Sequence, residues 1–266
     1  MKNTTVFLLL LSLVLLSACF YIQVEYPRER ERIPFDEFHK NVPLSPGGTL
    51  SLENGNGNIE IHGWEREELE VYAEKTIQLP DRAKFYVYPK KDIVPGIVFD
   101  QFEDFVKIRT KNVAESTGAG FVDYSIDAPR SINLKDIVMK SGDLHISGIY
   151  GDAYLDLTEG DITVENFSGS LMASTTRGSV YASLFDLREQ DEVILTSREG
   201  NITLLLQENA SANLEAIFPE GEIICEFEIV IPPDEKKIDT QWGENGPRIS
   251  LTALRGNIRI EKGLKD

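Results

Sequence analysis

The sequence predicts an all-β chain folded as a β-solenoid, a parallel β-helix-like stack of short strands that open on Gly-Asp or Gly-Asn. Three observations carry that expectation: a nine-residue glycine repeat, apolar-polar alternation inside each repeat, and no amphipathic helical pattern beyond a turn or two. The glycines stand at Gly142, Gly151, Gly160, Gly169 and Gly178, and the units read GDLHISGIY, GDAYLDLTE, GDITVENFS, GSLMASTTR and GSVYASLFD. In each, the third and fifth residues are apolar: Leu144 and Ile146, Ala153 and Leu155, Ile162 and Val164, Leu171 and Ala173, Val180 and Ala182. Residues two apart share one face of a strand, so each unit is a short strand with one buried side. Glycine enters positive φ without strain, and the short polar residue after it bonds a nearby backbone amide, which closes a tight corner. The same opening recurs out of phase at Gly57-Asn58, Gly200-Asn201 and Gly256-Asn257. The competing architecture is an antiparallel β-sandwich, which short strands at roughly 8–12-residue spacing also fit. The fixed nine-residue phase favours the solenoid.

At the start of the chain, Lys2 precedes an apolar run of 11 residues, 6–16 (VFLLLLSLVLL). A bilayer-spanning helix needs about 20 apolar residues, so this run is too short to span and suits the core of a cleaved signal peptide, residues 1–18. It ends in Leu16-Ser17-Ala18-Cys19, which resembles the lipobox of bacterial lipoproteins. That resemblance implies cleavage before Cys19, a diacylglyceryl thioether on its sulfur, and a fatty acyl chain such as palmitate on the new amino terminus. Two or three acyl chains anchor a protein stably where one holds only marginally. Phe20 stands where the retention signal of Gram-negative inner-membrane lipoproteins has Asp. The implied location is the outer membrane in a Gram-negative host, or the outer face of the cytoplasmic membrane in a Gram-positive one.

Residues 19–46 read as a lipidated tether, punctuated by Pro27, Pro34, Pro43 and Pro46 and lacking sustained periodicity, with Phe35 and Phe38 available to pack back on the domain. Residues 47–263 are the solenoid domain. Within it, residues 77–120 interrupt the repeat with Pro80, Pro89 and Pro95 and read as a hairpin-rich elaboration of the same sheet. Residues 217–231 (IFPEGEIICEFEIVI) read as longer strand material.

The chain carries 44 Asp+Glu against 27 Lys+Arg, a formal net charge of -17, and no basic run. Nucleic acid is excluded as a partner, because phosphate backbones are bound by clustered Lys and Arg. The acidic surface keeps a repetitive β protein soluble and opposes edge-to-edge pairing. Two cysteines, one of them Cys19, make no disulfide framework. No motif demands a cofactor.

Residues 49–76 (TLSLENGNGNIEIHGWEREELEVYAEKT) and 123–151 (DYSIDAPRSINLKDIVMKSGDLHISGIYG) resemble the opening and middle of a bacterial adhesin-like domain family, an uncharacterised β-solenoid family often preceded by a lipobox. The resemblance spans roughly residues 49–261 and implies an envelope-exposed, non-enzymatic binding or structural domain. It carries over no catalytic residues.

Asp143, Asp152 and Asp161 recur every nine residues and could stack into a carboxylate ladder for a cation such as calcium, which takes six to eight oxygens. Exchange of these acids for Ser170, Ser179, Asn58, Asn201 and Asn257 in equivalent units fits turn chemistry better. Trp64 and Trp242 are candidate ligand-stacking platforms, with Trp64 also suited to covering an apolar end of the stack. His39, His62 and His145 are isolated, and His62 with Glu60 supplies too few ligands for a metal. Cys225 reads as a small buried residue. The function these features support is a lipid-anchored, non-enzymatic adhesion or protein-interaction module that meets a protein or glycan ligand. The alternatives are an envelope enzyme acting on polysaccharide through groove carboxylates, or a structural or stress-sensing envelope component.

Overall fold

The computed structural model describes residues 32–78, 94–111, 119–232 and 234–263. The expected signal peptide, Cys19 and the first part of the tether lie outside the described residues. The first seven strands are β1 (Arg32–Pro43), β2 (Thr49–Asn56), β3 (Ile59–Trp64), β4 (Glu68–Gln78), β5 (Gly96–Phe102), β6 (Phe105–Lys111) and β7 (Ala119–Pro129). The repeats supply β8 (Asn133–Ser141), β9 (Leu144–Ser147), β10 (Ala153–Glu159), β11 (Ile162–Phe167), β12 (Leu171–Arg177), β13 (Val180–Leu184), β14 (Glu192–Glu199) and β15 (Ile202–Gln207). The chain ends with β16 (Ala212–Ile217), β17 (Ile223–Cys225), β18 (Lys237–Trp242), β19 (Arg248–Arg255) and β20 (Ile258–Gly263).

Among the described residues these strands form two sheets of ten, sheet A in the order β1-β4-β7-β3-β9-β11-β13-β15-β20-β17 and sheet B in the order β18-β16-β19-β14-β12-β10-β8-β2-β6-β5. Successive nine-residue units alternate between the sheets, so one coil takes two units. Ile162 of β11 therefore pairs in parallel with Leu144 on one side and Val180 on the other. The third- and fifth-position residues of all five units are buried, and they face one another between the sheets. This is a solenoid with open, mixed sheets. Antiparallel pairing is confined to the ends, where β1, β4, β5 and β18 join.

The corner from sheet B to sheet A explains the Gly-Asx signature. There, each short polar side chain accepts the backbone N–H of its counterpart on the next coil. Asp123 Oδ1 accepts from Asn58 at 2.7 Å, Asn58 from Asp143 at 3.0 Å, Asp143 from Asp161 at 2.9 Å and Asp161 from Ser179 at 2.7 Å. The ladder continues through Asn201 and Asn257 to the N–H of Glu222. Gly57, Gly200 and Gly256, out of phase in sequence, stand in one column with Gly142, Gly160 and Gly178, each beneath the carbonyl of its neighbour. Extra residues between β13 and β14 lengthen one coil from 18 to 22 residues without disturbing the column.

Several expectations change. Arg32–Pro43, read from sequence as tether, is strand β1, paired with β4 along its length. Its side chains are almost all exposed, so the pairing is a backbone property that alternation does not reveal. Pro34, Pro43 and its charges blunt this sheet edge. Phe38 does pack back, its ring 6.3 Å from that of Phe99 on β5. Of residues 77–120, β5 and β6 form the expected hairpin on sheet B, while residues 79–93 and 112–118 lie outside the described residues. In residues 217–231 only Ile223–Cys225 forms a new strand, a short edge paired with β20 alone.

Tyr124 of β7 is 2 % exposed, and its hydroxyl meets Thr110 Oγ1 at 2.8 Å. Burial pushes its pKa up to about 12, against the lowering pull of the Thr110 hydrogen bond. The folded state thus keeps the phenolic proton more tightly than the unfolded chain. The resulting stabilisation is fully present below pH 10 and is lost as pH rises to about 12. Two units correspond to roughly 3 kcal/mol. Urea midpoints of wild type and Tyr124→Phe across this window are expected to converge towards neutral pH and separate by about that amount at the alkaline end, with the Phe variant the more stable there.

Candidate functional site

The opposite corner, where sheet A strands turn into sheet B, carries a groove of about 570 Å³. It begins at His62 on β3 and Arg130 after β7 and runs past the ends of β9, β11, β13 and β15 to Gly263 of β20. At a strand spacing of roughly 4.8 Å it extends about 24 Å across the coils.

Tyr150 and Phe185 build its floor. Tyr150 ends the first repeat unit, Phe185 is the next-to-last residue of the fifth, two coils along, and the rings meet edge to face, centroids 5.4 Å apart at 83°. The Tyr150 ring stays 41 % exposed. Arg130 is held beside it: Nε donates to Glu65 Oε1 at 2.6 Å, and Nη1 donates to the Gly148 carbonyl and the Tyr150 hydroxyl, both at 3.4 Å. The guanidinium carbon lies 5.5 Å from the Tyr150 centroid. Asn166, in the left-handed region at φ 49, and Gln207 bring amides to the same strip, and Ser147 and Ser183 bring hydroxyls. Gln207 Oε1 accepts the N–H of Asp186 at 3.2 Å, which fixes which way its amide turns.

The sequence-predicted residues fall elsewhere. Asp143 and Asp161 share one corner, but Asp152 belongs to the other, where it accepts from Ser170 N at 3.1 Å. Nine-residue spacing puts alternate units on opposite corners, so the three carboxylates do not form one ladder. Each of the three accepts a backbone N–H from the next coil. Among the described residues no group of three or more His, Cys, Asp or Glu is arranged to hold a metal ion. Trp242 is 8 % exposed, stacks on Phe227 at 4.9 Å and donates to the Ala210 carbonyl, so it fills the C-terminal end of the core and offers no free face to a ligand. Trp64 ends β3 inside sheet A, not at an end of the stack. Its Nε1 donates to the Glu68 carbonyl, and Arg66 lies over its ring at 4.6 Å. Each histidine pairs with a carboxylate: His39 with Glu70, His62 with Asp127, His145 with Glu165. Cys225 is half-buried, and burial pushes its thiol pKa up, away from reactivity. Sequence reasoning missed Arg130, Tyr150 and Phe185. The available signal was Tyr150, an aromatic at the end of the first unit where the others carry Glu159, Ser168, Arg177 or Asp186.

A stack of two-unit coils with open edges, cornered by Gly-Asx ladders and bearing a polar groove, defines a β-solenoid protein. The Toastrack DUF4097 family matches residues 31–261, and the chain belongs to it. Among solved structures, the chain is similar to a candidate cell adhesion protein from Clostridium sporogenes ATCC 15579, at 16% identity and TM-score 0.51, covering 87% of this chain and 100% of that one. It also matches a candidate adhesin from Bacteroides fragilis NCTC 9343, at 14% identity and TM-score 0.41, covering 85% of this chain and 97% of the other. No curated protein matches the chain. Among the described residues no helix is long and apolar enough to cross a membrane.

Proposed function

We propose that this protein is a lipid-anchored component of the bacterial cell envelope that acts as a non-enzymatic adhesion or interaction module, with the Arg130–Tyr150 groove as its ligand surface. The observation that carries the reading is the groove itself: an exposed aromatic ring, an oriented guanidinium and a row of amides and hydroxyls, without a carboxylate pair suited to hydrolysis on its walls. The cell-adhesion description of the C. sporogenes protein supports it. The lipobox at Cys19 supports the anchoring.

Two measurements test it. Intact mass of membrane-extracted protein is expected to match residues 19–266 plus acyl chains, and Cys19→Ser is expected to leave the membrane fraction. Beads coated with wild-type protein are expected to be retained on host or neighbouring cells, and Tyr150→Ala beads about tenfold less. An unacylated, soluble wild type would overturn the anchoring. Retention unchanged by Tyr150→Ala would remove the groove from the adhesion.

A further inference from the structure

We infer that the groove takes an acidic glycan, a chain of sugars bearing carboxylates of the uronate kind, with Arg130 as the carboxylate partner and Tyr150 as the stacking platform. The inference rests on the groove being a ligand surface.

Charge selects the sign of the ligand. Asp and Glu make up 44 of 266 residues, so about two acids are expected among thirteen lining residues, and there are none. The charged and chargeable groups on the walls are Arg130 and His62. Other depressions among the described residues carry acids: Asp152 and Glu192 in one, Glu235 and Asp239 in another, Asp186 in a third. On a surface of net charge -17 an anion meets repulsion within a Debye length of roughly 8 Å almost everywhere else. Glu65 and Asp127, which border the groove, are paired with Arg130 and His62, and Asp186, whose N–H donates to Gln207, stands beyond Phe185; none of the three lines it.

Arg130 is built for a carboxylate. Glu65, the Gly148 carbonyl and Tyr150 fix its plane through Nε and Nη1. Nη2 donates to nothing among the described residues, which leaves two N–H groups for a ligand oxygen.

The remaining chemistry selects a sugar over a bare anion. A bare phosphate would use Arg130 and leave the rest idle. A pyranose lays its C–H face on an exposed aromatic ring, and the T-shaped contact with Phe185 fixes the orientation of the Tyr150 ring. Its hydroxyls need both donors and acceptors, which Asn166, Gln207, Ser147 and Ser183 supply along the strip.

The test is calorimetric titration of the full chain in detergent with oligogalacturonate, the same oligomer methyl-esterified, hyaluronan fragments and sialylated oligosaccharides. At least one free-acid oligomer is expected to bind, with affinity falling as salt rises. Esterification and Arg130→Gln are each expected to weaken binding at least about tenfold, with Arg130→Lys intermediate because it keeps charge and loses the planar fork. Tyr150→Ala is expected to weaken acid and ester alike, and Tyr154→Ala on sheet B to change nothing, with far-UV circular dichroism checking each fold. Equal affinity for acid and ester, or no binding by any free-acid oligomer at millimolar concentration, overturns the inference. If bead retention by cells persists in that case, the adhesion reading survives alone; if retention is absent as well, both fail.

Discussion

Gly160→Ala is expected to cost about 2–6 kcal/mol of folding stability. Two independent terms add. Gly160 sits at φ 126, where an L side chain is strained by about 1–3 kcal/mol. A β-carbon there would also overlap the carbonyl of Gly142 on the neighbouring coil. That carbonyl cannot step aside, because Asp143 next to it is tied to Asn58 on one side and Asp161 on the other. Opening the coils is an overpacking strain of about 1–3 kcal/mol more. For a domain of this size each kcal/mol moves Tm by about 2–4 °C, so the midpoint should fall by roughly 4–24 °C. Gly47→Ala is the control: φ is 83, but nothing stands within 4 Å of the added carbon, so only the strain of the left-handed region applies. A Gly160→Ala loss no greater than that of Gly47→Ala would mean the column is not a steric constraint. Asp161→Ala isolates the hydrogen-bond part, removing the acceptor for Ser179 N–H at about 1 kcal/mol.

That column also shows where the sequence is a good guide. Position within the unit determines burial, so Leu144, Ile162 and Val180 declared both their strand and their facing before any coordinates. Turn chemistry is local too, and Gly-Asp, Gly-Asn and Gly-Ser openings do mark corners. What stayed hidden is set by neighbours distant in sequence. The alternation of units between two sheets, which separates Asp152 from Asp143 and Asp161, follows from coil closure and not from any single unit. Strand β1 is held by backbone bonds to β4 with its side chains in solvent, so no periodicity betrays it. The groove gathers Arg130, Tyr150 and Phe185 from three coils, and a guanidinium and two rings spaced 20 and 35 residues apart form no motif.

Removing residues 248–266 is expected to unfold the domain from residue 212 onward, because the last strands lie inside the sheets. β19 sits between β14 and β16, and β20 between β15 and β17, so the final coil fills a layer that the chain passed over when it went from β15 to β16. Ile249, Leu251, Ala253, Ile258 and Ile260 of that coil are fully buried. At about 1.5–3 kcal/mol for each of the four larger side chains, the lost burial is roughly 6–12 kcal/mol, comparable with the 5–15 kcal/mol that holds a typical domain together. Without the coil, among the described residues β17 loses its one strand partner and β16 keeps only β18. Gly221 and Glu222 lose Gly256 and Asn257, the residues they stack on. Hydrogen exchange of the truncated protein should therefore show protection surviving in β8–β13 and collapsing from residue 212 to the new end. The exposed edges of β14 and β15 should make the protein aggregate. Leu251→Ala in the full chain is the milder form, costing about 2–5 kcal/mol as a cavity between the sheets. Retained protection of residues 212–217 after truncation would show that β16 can close directly on β14, bringing Leu214 against Leu195, and that the last coil is dispensable.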